Sequence, residues 1–243
     1  HNLTAQTLAR DAGFIEASRL RYVRVMRWCL HPGLRRHGLG ERLLEESLNR
    51  LKCLQVDAIA AHFGATAWLV KLWLKQGGII VHVSHGCDAS SGQHSVSVLI
   101  PMSSRAKLLA EDLRRRLTLQ LPELLAGPLA DIESEALIEI LKALDDFGSV
   151  SRQDFLDSWS FAFGARSLSN CKPALRKIVL AAFQHGTCVG PRLERPLLDL
   201  VQGRPILSEG QLRRAVQQLL CLHKGFAEFS PCPNGAPIRS TPL

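Results

Sequence analysis

Residues 21–30, RYVRVMRWCL, do most to limit what this chain can fold into. β-Branched and aromatic side chains recurring with a period of two predict a strand. Tyr22, Arg24, Met26 and Trp28 fall on one side and Val23, Val25, Arg27 and Cys29 on the other. Pro32 stops the strand. The chain then passes through Arg35-Arg36-His37-Gly38-Leu39-Gly40 into residues 41–51, whose leucines at 43, 44, 48 and 51 have helical spacing. This junction opens a strand–helix–strand–helix–strand order, which indicates an α/β unit.

The same alternation continues downstream. Residues 56–62 predict a strand, 67–76 a helix closed by Gly77-Gly78, and 79–84 a short strand. A polar loop is expected over 85–93, then an alternating strand over 94–100 ended by Pro101. Residues 1–20 show little periodicity and predict a frayed lead-in with a short helix. After Pro101 the period becomes helical, over 104–125, 133–144, 173–185 and from 208 to about 224. Ser151-x-x-Asp154 opens a further helix and resembles a capping box with Asp in place of Glu or Gln, and Ser208-x-x-Gln211 matches the capping box at the start of the last helix. The expected fold is an α/β domain over residues 1–103, an all-α domain over 104–230 and a flexible tail over 231–243.

Thirty Lys and Arg face 22 Asp and Glu, a net charge of +8. The excess is at the ends: residues 1–104 are net +5, 105–150 net −3 and 151–243 net +6. A basic balance favours an anionic partner such as RNA, DNA or a phosphorylated cofactor, with a merely solvated basic surface as the alternative. None of the 7 cysteines forms a Cys-x-x-Cys pair, which argues against a zinc ribbon, and their odd number argues against a disulfide framework. They predict reduced, mostly buried thiols and a cytoplasmic location. The 9 histidines include no His-x-x-x-His pair, so no metal site is expected. No apolar run approaches the ~18 residues of a membrane span, and no membrane association is expected.

Glycines at 38 and 40 remove side chains where the turn meets the helix. Backbone N–H groups there can face an anion, and the helix dipole adds positive potential. Arg35 and Arg36 supply charge suited to a pyrophosphate. Gly-Lys-Ser/Thr is absent, so this is no Walker loop, and G-x-G-x-x-G is absent too. The sequence Arg35-x-x-Gly38-x-Gly40 after an alternating strand resembles the acetyl-CoA loop of the GCN5-related N-acetyltransferases.

A wider pattern is more specific. Arg27-Trp28-Cys29-Leu30-His31-Pro32, the glycine loop, Phe63-Gly64-Ala65-Thr66, Leu72-Trp73, and Ala89-Ser90-Ser91-Gly92 closing on Leu99-Ile100-Pro101-Met102-Ser103 follow in one order. Together they resemble the C-terminal part of the bacterial tRNA(Met) cytidine acetyltransferases, over residues 20–116 above all. The resemblance implies an acetyltransferase domain followed by a helical tRNA-binding domain. It also implies transfer of acetyl from acetyl-CoA to the exocyclic amine of the wobble cytidine of elongator tRNA-Met. ATP would be used only by an upstream ATPase module, so the chain is expected to be the later portion of a longer, N-terminally extended protein.

The same resemblance implies that Trp28, Cys29 and Leu30 pair their backbone with the pantetheine arm. It implies that Arg35, Arg36, His37, Gly38, Leu39, Gly40 and Glu41 hold the pyrophosphate. A Glu and an Arg expected on the helix after Phe63-Gly64 are replaced here by Trp68 and Lys75. His31 and His62, at strand ends, are candidates for a general base, with structural hydrogen bonding as the alternative. Trp73, on a helix with Leu69 and Leu72, is expected in the core. Arg114, Arg115, Arg116, Lys172, Arg176, Lys177, Arg213 and Arg214 are candidates for RNA phosphate contact, joined by Arg192 and Arg195. The other readings are a protein or small-molecule N-acetyltransferase, or a catalytically weak RNA-binding module.

Overall fold

The computed structural model describes residues 3–34, 37–89 and 91–222. The chain divides into two compact units, His1–Gln120 with Glu135–Asp145, and Leu121–Ser134 with Asp146–Leu243.

The first unit is built on a four-stranded sheet: β1 (Tyr22–Val25), β2 (Ala58–Gly64), β3 (Ile79–Cys87) and β4 (His94–Pro101). The strand order is β1-β2-β4-β3, with β1 and β2 parallel and the other pairs antiparallel. Helix α1 (Leu3–Gln6) leads into irregular helical turns before β1; α2 (Leu39–Leu51) crosses from β1 to β2, and α3 (Ala67–Lys75) from β2 to β3. Helices α4 (Ser104–Leu125) and α5 (Ser134–Ala143) follow β4.

The lead-in is not frayed. Leu8 and Ala17 are fully buried and share a core with Ala60, Leu99 and the α4 residues Ala106, Ala110 and Leu113. The expected domain break after residue 103 thus lies inside the first unit, because α4 supplies part of the sheet's own core. Strand β3 runs to Cys87, so His85 and Cys87 belong to it rather than to a polar loop. Asp88 and Gln93 then close a hairpin, the Asp88 carbonyl accepting from Gly92 N at 2.7 Å.

Strand β1 is much shorter than its alternation predicts. Its pairing ends at Val25↔Ala61, while β2 continues to Gly64. Met26 and Arg27 leave the sheet, and Met26 is 75% exposed. Residues 28–30, expected at the end of the strand, therefore form an arm that diverges from β2.

One carboxylate clasps the start of this fork. Asp57 Oδ2 accepts from Arg21 N and Oδ1 from Ser103 Oγ, both at 2.8 Å. Ser103 Oγ in turn accepts from Ala106 N in the first turn of α4. These bonds favour the ionised carboxyl and hold its pKa below the ordinary aspartate value.

The described elements of the second unit are helical: α6 (Arg152–Phe163), α7 (Leu168–Gln184), α8 (Pro191–Val201) and α9 (Glu209–Leu222). Ser151 and Asp154 form a full capping box on α6. At α9 only the half from Ser208 Oγ to Gln211 N is present. Helix α8 has no counterpart among the expected elements; Pro191 sits in its first turn, where a missing N–H costs nothing. The α7 helix likewise starts before Pro173 rather than at it. Cys171 is the one buried thiol among the six described, against the expected majority, and no disulfide joins them. The expected tail over 231–243 lies outside the described residues. Among the described residues no helix is long and apolar enough to cross a membrane.

Replacing Asp57 by Ala removes two charge-assisted bonds at a partly exposed position. Urea denaturation is expected to show a loss of about 1–2 kcal/mol, with Ser103→Ala losing less.

Candidate active site

A parallel pair needs a crossover, and here the crossover carries the site. The chain leaves β1, passes His31–Gly40 and enters α2, so the N-terminus of α2 comes back to the arm formed by residues 28–30. A cleft of about 570 Å³ opens between them, lined by Trp28, Cys29, Leu30, Gly38, Gly40 and Glu41 together with Trp68 and Leu72 of α3.

The two glycines act differently. Gly38 caps α2 with φ of 72°, a left-handed backbone that side chains resist. Gly40 is a matter of space: a Cβ there would sit 2.9 Å from Trp28 Cζ2 and 3.0 Å from Leu30 Cδ1. The helix start is thus packed against the Trp28 and Leu30 side chains of the arm, with the first N–H groups of α2 at the cleft. Arg35 and Arg36 lie outside the described residues. Leu39 is half-buried beside Gly40, and His37 is exposed.

Trp68, which stands where a carboxylate was expected, stacks on Trp28 with ring centroids 5.6 Å apart and planes 14° apart. Lys75 forms an ion pair with Glu41. That hydrogen bond and the opposite charge raise the Lys75 pKa. The pair also neutralises a carboxylate in the first turn of α2, where it would otherwise repel an incoming anion. Trp73 is buried, as expected, and stacks on Phe63.

The two base candidates separate. His31 is exposed, its Nδ1 accepting from Gly33 N in its own turn, and it does not line the cleft. His62 is on β2 just past the fork. Its Nδ1 is 2.8 Å from Ser97 Oγ and its Nε2 3.3 Å from Thr4 Oγ1. Burial, then the charge of Arg24 and of His82, push its pKa down to about 4. It is neutral near pH 7 and too weak a base to take a proton readily.

The basic candidates also divide. Arg176 donates to the carbonyls of Pro122 and Val201, and burial lowers its pKa. Arg213 binds the carbonyls of Phe161, Gly164 and Arg166 at the end of α6. Lys177 pairs with Asp154, Arg114 with Asp145 and Arg115 with Asp112. Arg116 lies over the Phe14 ring. Lys172 and Arg214 are exposed. So are Arg192 and Arg195, which line a small groove with Ser208 and Gln211 at the start of α9.

No family model matches the chain. Individual relatives do, and each is an acetyltransferase. A protein of Nitrosococcus halophilus named tRNA(Met) cytidine acetyltransferase TmcA is 32% identical over 194 residues, 78% of this chain and 26% of that protein. Proteins of the same name from Haemophilus ducreyi and Salmonella typhimurium are each 29% identical, over 203 and 231 residues, covering 78% and 92% of this chain and 31% and 33% of theirs. The chain belongs to the tRNA(Met) cytidine acetyltransferase family, and it spans about a quarter to a third of the length of these relatives.

Because His62 is neutral when folded and takes a proton when unfolded, its contribution to stability is complete above its unfolded pKa of about 6.5. It is lost as pH falls toward the folded value of about 4. His82, whose pKa burial also lowers, adds in the same direction. The urea midpoint is expected to fall between pH 7 and pH 5 by the equivalent of about 1–2 kcal/mol, and His62→Gln is expected to flatten that fall.

Proposed function

We propose that this chain holds acetyl-CoA at the β1–β2 fork and transfers the acetyl group to the exocyclic amine of the wobble cytidine of elongator tRNA-Met. The observation that carries the reading is the packing of Gly40 against Trp28 and Leu30, which puts an α2 N-terminus beside a backbone arm that has left its sheet. The N–H groups of α2 suit a pyrophosphate, and the diverging arm leaves backbone groups for an extended amide chain such as pantetheine. The residues of the cleft therefore fit this substrate.

In the reaction the amine nitrogen attacks the thioester carbonyl carbon. The new C–N bond forms, the C–S bond breaks, and the sulfur leaves as the thiolate, taking up the proton released by nitrogen. An amine conjugated with a pyrimidine ring is a poor nucleophile, so holding it against the thioester contributes most. Neither His31, which faces solvent, nor His62, whose pKa is pushed down, is placed to act as a strong base.

The second unit supplies tRNA contact in this reading. Arg176 and Arg213 bind main-chain carbonyls and serve the fold. Phosphate contact falls to the exposed Lys172, Arg192, Arg195 and Arg214.

Calorimetry with acetyl-CoA tests the cleft. Gly40→Ala is expected to weaken binding about tenfold, since the new methyl must displace Trp28. Lys75→Gln is expected to weaken it several-fold by freeing the Glu41 charge, while Glu41→Gln leaves it unchanged or tighter. Wild-type affinity in Gly40→Ala would overturn the assignment.

The affinity for tRNA is expected to fall linearly with rising salt on a log–log plot. Arg192→Gln and Arg195→Gln are each expected to reduce the slope by about 1. Arg213→Gln is expected to lower thermal stability with little change in slope. Equal slopes in all four proteins would remove the groove from the tRNA contact.

A further inference from the structure

A second cavity, of about 480 Å³, lies where Arg24, His62, Ser97 and His82 come together. These residues are far apart in sequence and are brought together by strand register. Arg24 pairs with Ala60, two positions before His62 on β2; His62 pairs with Ser97 of β4, and Ser97 with His82 of β3. Paired positions, and positions two apart on one strand, share a sheet face. The four side chains therefore form one polar row across the sheet, and none of the four lines the acetyl-CoA cleft.

The row is built to donate. The Arg24 guanidinium is near enough to His62 to lower its pKa. Its Nε–H is buried with no acceptor among the described residues, which leaves a desolvated donor on a permanent cation uncompensated. His62 is neutral near pH 7, so one ring nitrogen donates and the other accepts. With Thr4 Oγ1 donating to Nε2 at 3.3 Å and Nδ1 donating to Ser97 Oγ at 2.8 Å, the Ser97 hydroxyl proton is turned into the cavity. Ser95, two positions before Ser97 on β4, adds a second hydroxyl to the lining. The carboxylate that lines the cavity, Asp88, accepts through Oδ1 from the backbone and hydroxyl of Ser91. Asp11, whose charge reaches His82, is ion-paired with Arg10. A cationic ligand would meet Arg24, and an apolar one would leave its Nε–H unpaired. An oxyanion meets neither obstacle. Donors converging from separate strands suit the divergent oxygens of a tetrahedral anion better than the single plane of a carboxylate.

We infer that this cavity is an anion site that binds a phosphate group, with Arg24, Ser95 and Ser97 donating to its oxygens. The volume exceeds what phosphate alone needs and lies within the roughly 300–1,000 Å³ of small-ligand pockets, so the phosphate is that of an ester whose remaining group fills the space. A free phosphorylated small molecule and the backbone of a nucleic acid strand both present this chemistry. The site uses residues separate from those of the acetyl-CoA cleft and stands independently of the reading given to that cleft.

The test is NMR titration of the whole chain at constant ionic strength, following the ring C–H signals of His62 and His82, assigned through His62→Gln and His82→Gln. The probes are inorganic phosphate, acetate, and a short oligouridylate, which offers phosphates without an exocyclic amine. Phosphate is expected to shift both signals with saturation, and acetate neither. Arg24→Gln is expected to weaken the phosphate effect about tenfold while leaving acetyl-CoA affinity, measured by calorimetry, unchanged. Should Arg24→Gln fail to fold, Arg24→Lys decides: it keeps the charge but loses the planar fork, and a several-fold weakening is expected. Saturation by oligouridylate at lower phosphate concentration than by inorganic phosphate would support the site and assign it to a nucleic acid strand; the reverse would support it and assign it to a free phosphorylated molecule. Absence of shifts with phosphate, equal shifts with acetate, or wild-type phosphate affinity in a folded Arg24 variant would each overturn the inference. Saturable phosphate shifts in a chain that binds no acetyl-CoA would instead overturn the cofactor reading and support the anion site.

Discussion

Parallel pairing between β1 and β2 is the constraint from which the site follows. Two parallel strands cannot be joined by a tight turn, so α2 must carry the chain back across the sheet. That crossover delivers the helix N-terminus to the carboxyl end of β1, the place where open α/β sheets bind ligands. The pairing then stops at Val25↔Ala61. Had β1 continued alongside His62, Phe63 and Gly64, the arm of residues 28–30 would have been consumed by the ladder. Early separation leaves it free to line a cleft.

Much of this was legible in the sequence. Period-two alternation, the Pro101 stop and the spaced leucines located β2, β3, β4 and the crossover helices to within a few residues. Gly38 does cap α2, but β1 ends at Val25, well before the glycine turn. The length of β1 was not legible, because alternation reports which residues can form a strand and not whether a partner is present. RYVRVMRWCL alternates throughout, yet only Tyr22–Val25 find one. The importance of Gly40 was visible as a missing side chain, but its cause, the Trp28 ring 2.9 Å from a Cβ, is a tertiary contact. The polar face of Arg24, His62 and His82 was hidden for a similar reason. Its members come from three strands, and strand order β1-β2-β4-β3 is not written in the sequence.

Charge was the least transferable signal. Net charge counts every cation alike, whereas folding divides them. Arg213 and Arg176 each satisfy main-chain carbonyls, a role for which the guanidinium fork is suited, and both are removed from the surface charge that a polyanion would meet. Adjacent arginines mislead in the same way. Arg114, Arg115 and Arg116 are consecutive, but they point to Asp145, Asp112 and the Phe14 ring.

The replacements at positions 68 and 75 make physical sense only when taken together with Glu41 and Trp28. With Trp at 68, the cleft loses the carboxylate that the family resemblance implies and gains a ring that stacks on Trp28. The cation at 75 finds its partner in Glu41, in the first turn of α2. Lys serves here, because the bond is to a single carboxylate at an exposed rim rather than a planar fork-to-fork contact. The cleft thus keeps a neutral ion pair at its edge while its wall changes from charged to aromatic. Stacking holds Trp28 in the position that Gly40 must avoid, so the aromatic pair and the glycine are two halves of one packing arrangement. A change at 68 is therefore transmitted to the α2 N-terminus through Trp28, without any direct contact between Trp68 and a phosphate.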